Sequence, residues 1–220
     1  EVPDPNSLMF FGAQRWGSAV EVPAKDQDFY ALKNVPHGQL RELFFHSKST
    51  DSQRRAFVYT PPGYDQNPDK RYPVLYLQHG WGENEYGWGV QGRAREIMDN
   101  LIAEGKAMPM ILVMPDGHAD LQEEEGDHVE NFVRFEEDML SSVVPLIDST
   151  YRTNATAAGR AICGLSMGGM QSLEIGINHP DMFAYIGGMS AYVPEPSKLL
   201  GKSLDNRDFN NQVKLLWMSI

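Results

Sequence analysis

The stretch Gly164-Leu165-Ser166-Met167-Gly168 decides the fold prediction, because it fits the G-x-S-x-G pattern of a nucleophile elbow. It follows the short apolar segment Ala161-Ile162-Cys163 and opens a stretch in which Met170, Leu173 and Ile177 recur at helical spacing. A strand that turns into a helix within so few residues leaves no room for a side chain at either glycine. The same turn holds the serine in a strained conformation above the sheet. This context favours a serine nucleophile over an incidental serine in a glycine-rich turn.

Segments typical of strands and helices alternate through the rest of the chain. Short apolar or β-branched runs predict strands at residues 43–45, 56–59, 72–77, 110–114, 161–163, 184–186 and 213–218. Amphipathic spacing predicts a helix over residues 94–102, a second over 132–147 that bends near Pro145, and a third that begins after Ser166. This alternation predicts an α/β protein with a mostly parallel sheet and helices on both faces, and the elbow specifies the α/β-hydrolase fold.

Residues 1–40 differ in composition from the remainder, because prolines and glycines interrupt them repeatedly. We expect an irregular N-terminal arm, or the remnant of an upstream module, followed by an α/β-hydrolase domain over residues 41–220. The chain stops just after the apolar run 213–218, where a sheet edge would have no covering helix. We therefore expect the C-terminal part of this domain to lie beyond Ile220.

Composition and charge argue against several classes of function. The 220 residues include 19 Lys and Arg against 30 Asp and Glu, which gives a formal net charge of −11. This balance argues against nucleic acid or a membrane surface as a partner, since both attract basic proteins. The single cysteine, Cys163, excludes an intrachain disulfide framework and a multi-cysteine metal site. No run of apolar residues approaches the roughly 20 that would span a bilayer.

A second motif, His79-Gly80-Trp81-Gly82, follows the predicted strand at 72–77. In an acyl-transfer site two backbone amides stabilise the oxyanion of the tetrahedral intermediate. One amide comes from the residue after the nucleophile, here Met167, and the other from the loop after an early strand. We therefore predict an oxyanion hole made by the amides of Trp81 and Met167, although a tight turn would also explain the glycines of this loop.

Aromatic residues cluster on the same loop, at Trp81, Tyr86 and Trp88. Such rings suit stacking on a sugar or on an aromatic acyl group, and they equally suit ordinary packing within a loop. Tyr86 and Trp88 are therefore candidate substrate-binding residues.

An acidic run lies between residues 120 and 130. It lacks the Asp-x-Asp-x-Asp-Gly spacing of a calcium loop, so a solvated lid loop is the better interpretation. The flanking residues His118 and His128 do not make a metal site without a third ligand. We expect no metal ion and no cofactor.

A serine hydroxyl needs a general base, and in α/β hydrolases the order along the chain is serine, acid, histidine. The only histidine after Ser166 is His179, and the intervening helix would carry it roughly 20 Å away from the serine. His179 is therefore predicted to be structural. We expect the triad acid and histidine in a segment beyond Ile220.

Four segments, at Phe29–Gly38, Arg55–Tyr64, Arg71–Gly80 and Gly164–Gly169, read FYALKNVPHG, RAFVYTPPGY, RYPVLYLQHG and GLSMGG. Together they resemble the esterase family related to esterase D, and most closely its bacterial feruloyl esterases of xylan-degrading systems. The likeness covers about residues 29–220. The first segment is similar to the start of the catalytic domain in members that carry an N-terminal immunoglobulin-like sugar-binding module.

The resemblance implies hydrolysis of hydroxycinnamoyl or acetyl esters on plant polysaccharide by a secreted or periplasmic bacterial enzyme with an α/β-hydrolase fold. Ser166 would be the nucleophile, and Met167 and Trp81 would form the oxyanion hole. The family's acid lies shortly after the strand that ends here near Ile220, and its histidine lies further on. An upstream carbohydrate-binding module is also consistent with the resemblance.

Two other functions stay open at this point. The same fold also carries acyltransferases and other small-ester or thioester hydrolases, and fold alone does not separate them. A catalytically inactive relative that binds carbohydrate is the non-enzymatic alternative. An acid followed by a histidine in the gene beyond Ile220 would favour the hydrolase.

Overall fold

The computed structural model describes residues 3–22, 24–119, 128–193 and 206–220. The predicted acidic lid loop lies largely outside these described residues. None of the helices in the described ranges has the length and apolar character of a membrane span.

Strands and helices alternate from residue 74 onward, after the consecutive strands of residues 39–60. The strands are β1 Leu8–Gly12, β2 Arg15–Ala19, β3 Gln39–Ser47, β4 Ser52–Thr60, β5 Val74–Gln78, β6 Ile111–Pro115, β7 Arg160–Leu165, β8 Tyr185–Met189 and β9 Leu215–Ser219. The α-helices are α1 Ala94–Ala103, α2 His128–Asp138, α3 Val144–Thr150, α4 Met167–Asn178 and α5 Phe209–Gln212. Two π-helical turns occupy Gly87–Gln91 and Met139–Val143, and short 3-10 turns occupy Gln27–Phe29 and Ala157–Gly159.

Seven strands form one mixed sheet in the order β3-β4-β6-β5-β7-β8-β9. β3, β4 and β6 pair antiparallel, whereas the pairs from β6 through β5, β7 and β8 to β9 are parallel. β6, which follows β5 in the chain, lies on one side of β5 in the sheet, and β7 lies on the other side. The loops that leave β5 and β7 therefore diverge, and the crevice between them at the carboxyl ends of the strands is where α/β sheets bind ligands.

Alternate residues of the strands pack into two cores, one on each face of the sheet. Tyr76 and Val113 face the core that contains Phe135 of α2 and Leu173 of α4. The other face contains a smaller cluster made by Phe57, Tyr59, Leu77, Leu112 and Met114 with Ala94 and Met98 of α1. Because both faces are covered, the central strands are apolar on both sides, which confirms the predicted layers of helix, sheet and helix.

The second predicted helix bends as expected, and the structure shows how. α2 passes into the π-helical turn Met139–Val143, and α3 then begins with Pro145 in its first turn. A proline has no amide hydrogen and crowds the preceding turn, so regular i to i−4 bonding is lost just before it.

Residues 1–40 are more regular than expected. β1 and β2 pair antiparallel as a hairpin whose turn holds Ala13 at φ 49° and Gln14 at φ 60°. Both central residues of this two-residue turn therefore have positive φ, as in a type I′ turn. The sequence conceals the hairpin because its turn lacks the Asn-Gly or Gly-Gly pair that usually marks this geometry. The proposed division at residue 40 stays a prediction.

Candidate active site

Ser166 lies at the junction of β7 and α4, in the conformation that the elbow requires. Its backbone has φ 53° and ψ −112°, which an L-residue adopts only at a cost of about 1–3 kcal/mol. The side chain makes no capping hydrogen bond to the helix that it precedes, and the residue is half-buried. The Ser166 hydroxyl is therefore not used to cap α4.

The two glycines of the motif are required by close packing. A Cβ at Gly164 would lie 2.4 Å from the carbonyl carbon of Gly168, and a Cβ at Gly168 would lie 2.4 Å from the backbone oxygen of His79. Both clashes involve backbone atoms, which cannot move aside as a flexible side chain can. The predicted reason for glycine at these positions is therefore confirmed.

The loop after β5 comes beside the serine. The position of a Cβ on Gly80 is 3.7 Å from the Cβ of Ser166. Trp81, the next residue, is half exposed and places its ring edge-on to His118 at 5.1 Å between centroids. Met167 is the first residue of α4 and is buried. Met167 thus follows Ser166 directly at the start of α4, and Trp81 lies on the loop that faces the serine. Their role as an oxyanion hole stays a prediction.

His79 joins the loop after β5 to the loop after β6. Its Nδ1 lies 2.8 Å from the backbone oxygen of Gly80, and its Nε2 accepts the amide hydrogen of Gly117 at 2.8 Å. The same Nε2 also lies 3.2 Å from Oδ1 of Asp116. Since the ring is buried and both nitrogens are engaged, His79 connects the two loops and is not placed to serve as a base.

The loop after β6 is held from its other side by Arg54 of β4. The guanidinium donates to the backbone oxygens of His118 at 2.7 Å and Asp116 at 2.5 Å, and it pairs with the buried carboxylate of Asp138 at 3.2 Å. Burial alone would raise the pKa of Asp116, but the neighbouring His79 ring and Arg54 outweigh it and lower that pKa below its usual value. Asp116 therefore stays ionised beside His79 at neutral pH.

The candidate substrate-binding aromatics have different surroundings. Tyr86 packs edge-on against Phe57 and Trp16, at 4.9 and 5.0 Å between centroids, and Arg55 lies 4.8 Å above its ring. Trp88 donates its indole hydrogen to the backbone oxygen of Gln78 at 2.8 Å. Both side chains are half-buried. Tyr86 packs against other rings of the protein, whereas Trp88 lines a cavity beside the elbow.

His179 lies at the end of α4 opposite to Ser166, as predicted. It caps the C-terminus of that helix, and its Nε2 is 2.7 Å from Glu136 of α2. The contact ties two helices together on one face of the sheet, which is a structural role.

The family of the chain follows from residues 47–217, which match the family described as Putative esterase. The match covers the sheet from the end of β3 into β9, together with the elbow and both flanking loops. This chain belongs to that esterase family. The resemblance seen in the sequence is thereby confirmed.

Known relatives of the esterase chain point the same way. An endo-1,4-beta-xylanase/feruloyl esterase of Xylanibacter ruminicola is 45% identical over 203 residues, which cover 89% of this chain and 28% of that protein. A solved CE1 ferulic acid esterase from Anaeromyces mucronatus is 28% identical, with a TM-score of 0.68 over 77% of this chain and 65% of that one.

A mutant of the feruloyl esterase module of Clostridium thermocellum, solved in complex with sinapinate, is 25% identical. Its TM-score is 0.68, over 84% of this chain and 66% of that one. The esterase chain therefore has the α/β-hydrolase fold. It spans less than a third of the curated relative and about two thirds of the solved esterases.

The sequence does not predict the side chains that hold the loops of the site in place by hydrogen bonding. Arg54 and Gln171 each reach across the fold to the loop after β6, and the Gln171 amide donates to the backbone oxygen of Gly117 at 2.9 Å. Glu83 accepts the amide hydrogen of Gly80 at 2.9 Å. Glu83 and Gln171 stand just after the two motifs and Arg54 does not, but nothing in the local sequence indicates the distant loop that Arg54 and Gln171 contact.

Proposed function

We propose that the chain is the catalytic part of a serine esterase that hydrolyses feruloyl or other hydroxycinnamoyl esters, or acetyl esters, on plant cell-wall polysaccharide such as arabinoxylan. The observation that carries the proposal is the strained Ser166 at the β7–α4 junction, with Gly80 of the facing loop against its Cβ. Relatives named for feruloyl esterase or ferulic acid esterase activity supply the substrate class.

In the proposed reaction, Ser166 Oγ attacks the ester carbonyl carbon and its proton passes to a general base. The carbonyl oxygen becomes an oxyanion, which the backbone amides of Met167 and Trp81 stabilise by hydrogen bonding. Collapse of the intermediate breaks the bond to the sugar oxygen, which leaves with a proton as the free hydroxyl. Water then attacks the acyl-enzyme by the same route and releases the acid.

Neither His79 nor His179 is placed to supply the base. His79 is buried with both nitrogens engaged, and His179 stands at the far end of α4. Because the order along the chain in α/β hydrolases is serine, acid, histidine, the proposal places the histidine and its acid partner outside the residues described. A polysaccharide substrate also implies a secreted or periplasmic enzyme, and an upstream carbohydrate-binding module would suit it.

The first test is the substrate profile of the full-length natural protein. We expect release of ferulate from methyl ferulate and from feruloylated arabinoxylan, measured by chromatography of the free acid, or release of acetate from acetylated xylan. Absence of hydrolysis of all three esters, from protein shown to be folded by circular dichroism, would contradict the proposal. Transfer of the acyl group to an added alcohol in preference to water would instead show an acyltransferase.

A further inference from the structure

The N-terminal hairpin docks on the loop that carries the predicted oxyanion amide. The amide of Gln14, at the hairpin turn, donates to the backbone oxygen of Gly82 at 3.0 Å. The side-chain amide of Gln91 bonds both backbone groups of Phe11, at 2.5 and 3.1 Å. A hairpin whose turn holds two residues at positive φ is thus fixed in register against the site by backbone contacts.

A cavity of about 220 Å³ lies where the hairpin meets this loop. Phe10 of β1 and Trp88 line it, together with Glu83 and Gln91. Leu165, which immediately precedes the serine nucleophile, also lines it. The cavity therefore borders the elbow, and Phe10, from outside the family match, forms part of its lining.

A second cavity of about 310 Å³ continues along the hairpin. Phe10 and Gln91 line this cavity as well, and its far part is bordered by Leu8, Glu21 and Arg93. We call the two cavities together the hairpin groove. It runs from beside the nucleophile away along the junction of the hairpin with the π-helical turn Gly87–Gln91.

The lining of the hairpin groove suits a glycan. Phe10 is 45% exposed, so its ring can take the apolar face of a sugar. The ring is held over Gly12, where a Cβ would lie 2.7 Å from Cε1 of Phe10. Glu83, Gln91 and Glu21 add carboxylate and amide groups to the lining. Each is already bonded within the protein, to Gly80, Phe11 and Arg93 respectively, and its oxygen atoms keep lone pairs that can accept hydrogen bonds from sugar hydroxyls. A feruloyl group has a single ring, whereas a polysaccharide extends over many sugar units. The hairpin groove extends over two cavities and so suits the polysaccharide better.

We propose that the hairpin groove binds the glycan chain on the alcohol side of the scissile ester, and that Phe10 is a specificity-determining residue for it. This inference rests on the proposed esterase function. It makes the N-terminal hairpin part of the substrate site.

The test compares two esters of the same acid in the full-length protein. We expect Phe10→Ala to raise KM for a feruloylated arabinoxylan oligosaccharide about fivefold, as the loss of one aromatic contact implies. The KM for methyl ferulate, which carries no sugar, should change less than twofold, and kcat should be unchanged for both. Phe10→Tyr should keep the original KM, and Phe44→Ala, at an exposed ring on β3, is the matched control.

An unchanged KM for the oligosaccharide in Phe10→Ala would overturn the inference, and so would an equal rise for both esters. Binding provides a readout that does not depend on hydrolysis. We expect calorimetry to show unesterified arabinoxylan oligosaccharide binding to Ser166→Ala and binding about fivefold more weakly to Ser166→Ala with Phe10→Ala. Equal affinities would reject the groove even if ferulate release is observed, and a difference would support it even if release is not.

Discussion

Replacing Ser166 with alanine is expected to lower kcat for methyl ferulate by at least about a thousandfold in the full-length protein. The reason is chemical, since the substitution removes the only atom that the proposed mechanism joins to the acyl group. The fold should survive, because the hydroxyl makes no capping bond to α4. Ferulate release and thermal unfolding, measured on the same preparation, check both parts of this expectation.

Ser166→Gly is the matched control for the strain at this position. Glycine adopts φ 53° without the steric cost that alanine keeps, so Ser166→Gly should be more stable than Ser166→Ala by about 1 kcal/mol. Both variants should be equally inactive. A rate for either variant within tenfold of the natural protein would show that Ser166 is not the nucleophile.

Replacing Gly168 with alanine is expected to destabilise the protein by about 3 kcal/mol, which lowers the unfolding midpoint by roughly 6 °C or more. The added Cβ would lie 2.4 Å from the backbone oxygen of His79 and 2.6 Å from the Cβ of Gln78. To relieve the overlap, α4 or the loop after β5 must shift, so the oxyanion amides would separate and kcat would fall as well.

Gly105→Ala is the control for this second variant. Gly105 has φ +68°, and an added Cβ would meet no atom within 4 Å. The substitution should therefore cost only about 1 kcal/mol of backbone strain and leave kcat unchanged. Equal destabilisation by the two alanines would argue against the packing that we assign to Gly168.

The sequence predicts the central part of the fold because local signals agree there. The glycines at 164 and 168 mark the elbow, and apolar runs bounded by glycine or proline mark β5, β6 and β7. The motifs alone do not show that their loops are neighbours. The sheet order does, because β5 and β7 are adjacent and bring the loop at Gly80 against Ser166. The predicted nucleophile and the loop of its predicted partner are therefore adjacent.

The hairpin and the supports of the site were not predictable in the same way. The turn at Ala13 and Gln14 has no residue that favours positive φ, and its conformation depends on contact with Gly82, distant in sequence. Arg54 and His79 support the site by hydrogen bonding to backbone groups of the loop after β6, which is distant from both residues in sequence. Such contacts depend on tertiary packing and produce no periodicity in the chain.

Covalent trapping tests most directly whether Ser166 is the nucleophile. The full-length protein is treated with a fluorophosphonate, which reacts with activated serines, and the modified residue is located by peptide mass spectrometry. We expect a single adduct on Ser166 and loss of ferulate release in proportion to labelling. Full labelling at another residue, or inactivation with Ser166 unmodified, would contradict it.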